Sequence, residues 1–231
     1  MNKPHRPSQR HAPKGVIILY EDRDLLIVDK PPGLLTVGTD RITMNTLYSK
    51  LTDFVRKGNS KSRERVFIVH RLDRDVSGVI VFARNEQAKF KLQENWDNAD
   101  KRYLAVVHGN MPLPSGTLSS YLDETKAHVV YSTKDPKKGK LSETAYTVLE
   151  ASALYSLLEV RLLTGRKHQI RVHLSEAQHP IVGDKKYGKA GDSQKRIALH
   201  AKSLAFAHPF SGKPVSFETL TPPFFEHLMA K

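Results

Sequence analysis

The chain is 231 residues long, has no cysteine, and sets 37 Lys and Arg against 24 Asp and Glu for a net charge of +13. Disulfides, zinc–thiolate centres and cysteine nucleophiles are therefore excluded, and no stretch has the length of a membrane span or the pattern of a signal peptide. The absence of cysteine suits a reducing cytoplasm, the expected compartment, and the positive excess makes a polyanion, nucleic acid above all, the expected partner. An anionic membrane is the rival, but no basic amphipathic helix with a broad apolar face is visible.

Residues 1–14, MNKPHRPSQRHAPK, hold four Lys and Arg, no acid and three prolines, and read as a basic flexible tail ahead of a single folded domain at 15–231. VIILY (16–20) and DLLIVDK (24–30) look like strands around a turn at Glu21-Asp22-Arg23, and Pro31-Pro32-Gly33 stops the second. TLYSKLTDFV (46–55) places Leu47, Leu51 and Phe54 at helical spacing, and RKGNSKSRER (56–65) is a basic loop. Two apolar runs, Val66 to Val69 and Val79 to Ala83, then enclose Arg71-Leu72-Asp73-Arg74-Asp75. NEQAKFKLQENW (85–96) reads as a helix with Phe90 and Leu92 inward, and KRYLAVVHG (101–109) as a strand. Shorter strands follow, among them HVVYS (128–132), TAYTVLE (144–150) and SLLEVRLL (156–163). A helix is expected at 167–177 with Ile170, Leu174 and Ala177 on one face. RIALHAKSLAFAH (196–208) and KPVSFETL (213–220) complete the sheet. Strands outnumber helices and follow one another directly, so the expected class is α+β, built on a largely antiparallel mixed sheet with flanking helices and loops.

The chemistry the residues permit is narrow. There is no GxxxxGK[ST] loop, no GxGxxG opening a helix, no HExxH and no Gly-x-Ser-x-Gly elbow. His168 and His173 are five apart, about 140° around a helix, so no metal and no cofactor is expected. Asp73 stands out as a carboxylate on a short loop between two strands, where Arg71 or Arg74 would keep it ionised as a base or nucleophile. On these residues alone, a solvated loop-tip cluster explains them slightly better.

His70-Arg71-Leu72-Asp73-Arg74-Asp75-Val76-Ser77-Gly78 resembles the HRLDxxTSG signature of the RluA-type RNA pseudouridine synthases. LYEDRDLLIVDKPPGLLTV (19–37) is similar to the family's strand pair ending in Lys-Pro-x-Gly, and KRYLAVVHG to its K-x-Y-x-A-x-V-x-G strand. LLTGRKHQIRVHLSEAQHPIVGDKKYG (162–188) resembles its TGRxHQIRxH and HPIxGDxxYG blocks, and LHAKSLAFAHPFSGKPVSF (199–217) its LHA segment. All occur in the family's order and cover residues 19 to about 217.

The resemblance implies isomerisation of uridine to pseudouridine in RNA without metal or cofactor. It implies Asp73 as the catalytic aspartate, Tyr103 as the ring that stacks on the flipped base, and Arg171 as the basic partner of the aspartate. Arg71 would fill the stack that the target uridine has left. Arg166, Lys167 and His168, where a loop meets the helix expected at 167–177, are candidate phosphate contacts, with structural salt bridges the alternative. Val76 departs from the family's Thr and removes a hydroxyl near Asp73. Residues 1–14 are too short for the S4 domain that many relatives carry, so a compact member is expected, acting on a structured ribosomal RNA or tRNA stem-loop. A monomer is expected, because no exposed apolar helix stripe asks for a partner. Two other readings stand beside this one. A catalytically silent RNA-binding module on the same fold is opposed by the set Asp73, Tyr103 and Arg171. A nucleoside glycosidase would ordinarily rely on paired carboxylates or a metal.

Overall fold

A computed structural model describes residues 9, 12–38 and 44–230. They fall into two compact units, one running to Ala99 with Ser203–Thr219, the other formed by Asp100–Lys202 and the residues from Leu220 onward. The expected flexible tail falls largely on residues 1–8, 10 and 11, outside the described residues. Gln9 is described: its amide donates to Ile18 O (2.8 Å) and accepts from Ile18 N (2.9 Å).

The first unit contains β1 (Ile17–Glu21), β2 (Leu25–Lys30), α1 (Leu47–Arg56), β3 (Phe67–Ile68), β4 (Ser77–Ala83) and α2 (Glu86–Glu94), followed by a 3-10 turn at Trp96–Asn98. β2 lies between β1 and β4, all antiparallel. The sequence reason is plain: β2 and β4 are almost unbroken apolar runs, and every residue of β4 is buried. Their register pairs Leu25 with Ala83 at one end and Lys30 with Gly78 at the other. A lysine at the end of an apolar strand is thus delivered to the base of the loop that precedes β4. α1 starts at a capping box, with Thr46 and Ser49 bonding each other's backbone N–H, and buries Leu47, Leu51 and Val55 at i, i+4, i+8.

Two expectations are corrected here. Phe90 is 55% exposed while Leu92 is 3% exposed; the two positions lie about 200° apart on a helix, and the inward pair is Ala88 with Leu92. The run 66–69 is also not a full core strand, since only Phe67 and Ile68 pair with β4 and both are half-buried.

The second unit is an antiparallel array in the order β5 (Asp100–His108), β9 (Tyr155–Leu162), β8 (Lys140–Ala151), β6 (Ser115–Glu124), β7 (Val130–Thr133). α3 (Gln169–Glu176) packs on β6, β7 and β8, and α4 (Pro223–Met229) on β9. β6, 10 residues long, was not expected and β8 runs 12 residues where 144–150 was expected, because their polar alternation hides them among loop-like residues. α4 was not anticipated; Pro222 and Pro223 mark its start, where a missing N–H does no harm. α3 begins two residues later than expected because His168 takes a left-handed conformation, φ 53°. Ile170 and Leu174 are buried on it, and Ala177 caps its end. β10 (Leu199–Ala207) runs from the second unit into the first, where its later residues pair with β11 (Pro214–Glu218). The α+β expectation holds.

Candidate active site

The loop between β3 and β4 carries Asp73, and its backbone is held by side chains rather than by the flanking strands. Lys30 is fully buried, and its ammonium donates to Leu34 O (2.8 Å), Arg74 O (2.9 Å) and Pro31 O (3.0 Å). Burial pushes this amine down to about 8, against the pull of Asp75, Asp73 and Asp29. It remains a cation at neutral pH, and three carbonyl dipoles take the place of water. On the other side of Asp73, the Thr36 hydroxyl donates to Leu72 O (2.7 Å) and accepts from Leu72 N (3.2 Å). Asp73 O in turn accepts from Val76 N at 3.2 Å, closing the turn. β3 ends at Ile68, and the His70 ring offers Nε2 as acceptor to Val81 N (3.2 Å) while stacking on Trp96, centroids 4.5 Å apart. Leu72 and Val76 are buried beneath the loop. Asp73 is half-buried and Arg71 exposed. Arg74 meets the exposed Asp75 through its Nε at 3.1 Å, a pair of little energetic weight.

The second unit presets a guanidinium. Arg171 donates through Nε and one terminal nitrogen to both oxygens of Asp184, each at 2.8 Å, and sits 5.2 Å from the Tyr187 ring centroid. Asp184 also accepts from Lys186 N (2.8 Å) and Tyr187 N (3.1 Å). Burial alone would raise the Asp184 carboxyl, but the Arg171 guanidinium and these N–H groups bring it below the usual range. The turn that carries Asp184 requires glycine: Gly183 has φ +75°, and a Cβ there would lie 1.9 Å from Arg196 O.

The motif residues before α3 divide into different tasks. Gln169 is buried; its carbonyl accepts from Thr164 Oγ1 (2.8 Å) and Arg166 N (3.0 Å), and its amide donates to Glu143 O and Thr144 Oγ1, both at 2.9 Å. His168 Nδ1 meets Tyr187 Oη at 2.8 Å, and Lys167 is ion-paired with Glu124, so the salt-bridge alternative describes Lys167. Arg166 points an exposed side chain from the same loop. His173 is buried between Thr144 Oγ1 (2.9 Å) and Ser120 Oγ (3.0 Å), and burial brings its ring down to about 4. Tyr103 lies half-buried on β5, opposite Val160.

Asp73 and Arg71 therefore share one loop of the first unit, which Lys30 and Thr36 hold from the β2 side. Tyr103, Arg166, Lys167, His168 and Arg171 belong to the second unit. Lys30, Thr36, Asp184 and Tyr187 were given no role by the sequence reasoning. Lys30 left a signal as a lone cation at the end of an apolar strand, and Asp184 and Tyr187 as the fixed acid and tyrosine of the GDxxYG block. Among the described residues one group has metal-ligand proximity, Asp22, Asp24 and His208, with donor atoms within 4.8 Å of one another. Its groups are already engaged: Asp22 with Tyr20 Oη (2.7 Å) and His208 Nε2 (3.1 Å), Asp24 with Asn85 Nδ2 (2.8 Å).

Residues 24–176 match the RNA pseudouridylate synthase family. The chain belongs to that family. It is 38% identical over 224 residues to an uncharacterised RNA pseudouridine synthase of Mycobacterium bovis, covering 94% of this chain and 72% of that one. It is 37% identical over 243 residues to the ribosomal large subunit pseudouridine synthase D of Xanthomonas campestris, covering 96% and 72%. Among solved structures, human RNA pseudouridylate synthase domain containing 1 superposes with a TM-score of 0.74 at 29% identity, covering 94% of this chain and 87% of that one. The synthase is thus an isomerase that converts uridine to pseudouridine in RNA. The matched span includes Asp73, Tyr103 and Arg171, whereas Asp184 and Tyr187 lie beyond it.

Proposed function

We propose that the synthase isomerises specific uridines of ribosomal RNA, or of a tRNA stem-loop of similar shape, with Asp73 as the catalytic carboxylate. The observation that carries this reading is the immobilisation of the Asp73 backbone. A buried ammonium holds the carbonyl of the residue after it, and a buried hydroxyl holds both polar groups of the residue before it. Ordinary surface loops are not gripped in this way, and a carboxylate that must meet a sugar carbon at a defined angle needs such rigidity. The name of the Xanthomonas relative supports the ribosomal target.

In the reaction, the C1′–N1 bond breaks, the uracil turns, C5 joins C1′, and the proton lost from C5 is balanced by one gained at N1. Asp73 supplies the electron pair that drives the first step. The target base is flipped out, which costs a few kcal/mol of unstacking, and the exposed Arg71 stacks where the base was. Tyr103 receives the uracil. Arg171 is the cation of the site, kept in one orientation by Asp184. Arg166 contacts phosphate. Lys57, Lys61 and Arg63, exposed and without a carboxylate partner among the described residues, extend the phosphate path. Such an enzyme would work in the cytoplasm, and among the described residues no helix is long and apolar enough to cross a membrane.

The test is Asp73→Asn, assayed for pseudouridine on RNA from cells that lack the gene. Product formation should vanish while RNA binding persists. An Asp73→Asn enzyme that still turns over would overthrow the reading.

A further inference from the structure

We propose that Thr36 is a positioning residue for the reaction, acting through the Leu72–Asp73 peptide; the proposal rests on the reading of Asp73 as the catalytic carboxylate. Thr36 is 3% exposed. Its single hydroxyl both donates to Leu72 O (2.7 Å) and accepts from Leu72 N (3.2 Å). The Leu72 carbonyl belongs to the peptide whose orientation sets φ of Asp73, so this one oxygen decides where the carboxylate begins its reach. Lys30 holds only the far side, at Arg74 O, and leaves the near peptide free to rotate if the hydroxyl is removed.

Thr36 is itself anchored. Its carbonyl accepts from Tyr48 N (3.0 Å), and Leu35 O accepts from Leu47 N (2.8 Å), so the two residues satisfy first-turn donors of α1 that would otherwise be orphans. A continuous path of hydrogen bonds therefore runs from the start of α1, through Thr36, to the residue before Asp73. Valine would fill the same volume and satisfy neither group of Leu72. The loop would relieve two buried, unpaired polar groups by turning that peptide toward water, which swings the carboxylate. Displacement of a reacting group by about 1 Å can reduce the rate by roughly 100-fold.

The experiment compares Thr36→Val and Thr36→Ser with wild type, with Asp73→Asn as reference, on RNA isolated from cells lacking the gene. Single-turnover rate, RNA affinity and thermal unfolding are measured for each. Thr36→Val should lose about 10- to 100-fold in rate with RNA affinity unchanged, while Thr36→Ser, which keeps the hydroxyl and drops the methyl, should stay within about threefold of wild type. A Thr36→Val enzyme as fast as wild type overturns the proposal. So does a folded Thr36→Ser enzyme as slow as Thr36→Val, since packing of the methyl would then be what matters. Should Thr36→Val fail to fold, the Thr36→Ser rate alone decides. Activity in Asp73→Asn would remove the underlying reading, whereas an inactive Asp73→Asn beside a fast Thr36→Val removes only the role of Thr36.

Discussion

Lys30 and Asp184 show how single buried charges shape this molecule. Each is out of water and each is matched, Lys30 by three carbonyls and Asp184 by a bidentate guanidinium and two N–H groups. Removing one partner of such an arrangement leaves the other buried and unsatisfied, which costs more than the arrangement contributes when intact. Lys30→Met is therefore expected to lower stability by about 2–4 kcal/mol, and Asp184→Asn by about 3–5 kcal/mol, both read from chemical denaturation. Asp184→Asn should also lose pseudouridine formation, because the Arg171 side chain is no longer held. The family resemblance assigned roles to Asp73, Arg71 and Arg171 within their blocks, and none to Lys30 or Thr36, which lie in the 19–37 block. Their contacts to the Asp73 loop were not legible because these span 44 and 36 residues, and no local period encodes such a pairing.

At the level of elements, the short segments around the site owe their shape to specific ends. α1 begins at the Thr46 and Ser49 capping box, and Thr46→Ala should lower stability by about 1 kcal/mol, visible as a shift of the thermal midpoint. The Gly183 turn admits no side chain. Most strands were legible from apolar runs, β2 and β4 above all, since both faces of these strands are buried and leave no polar alternation to confuse them. β6 was not, because seven of its ten residues are Ser, Thr, Gly, Asp or Glu, a composition shared with loops. The inward face of α2 was misread because Phe90 was weighed by its apolarity, when the spacing of Ala88 and Leu92 decided the matter.

For the whole molecule, charge and protonation set the conditions of work. With a net charge of +13, RNA affinity should fall steeply with salt, with a log–log slope of about −0.7 per neutralised phosphate on single strands. Replacing Lys57, Lys61 and Arg63 together by alanine should flatten that slope in a filter-binding titration while leaving the thermal midpoint unchanged. Stability should follow pH through His173 and His200, both neutral in the fold because burial brings each ring to about 4. An unfolded histidine titrates near 6.5, so between about 6.5 and 4 the unfolded chain binds protons that the folded one refuses. Stability is thus complete above pH 6.5 and declines as the pH falls toward 4. His173→Asn should make the acid limb of the denaturation midpoint against pH shallower.

The lone tryptophan of the chain, Trp96, lies against the imidazole that opens the HRLD segment. The molecule consequently carries a built-in optical gauge at the start of its loop. Any event that lifts that ring from the indole, such as the arrival of an RNA, should register as a change in ultraviolet emission, with no dye attached and no second tryptophan to blur the signal.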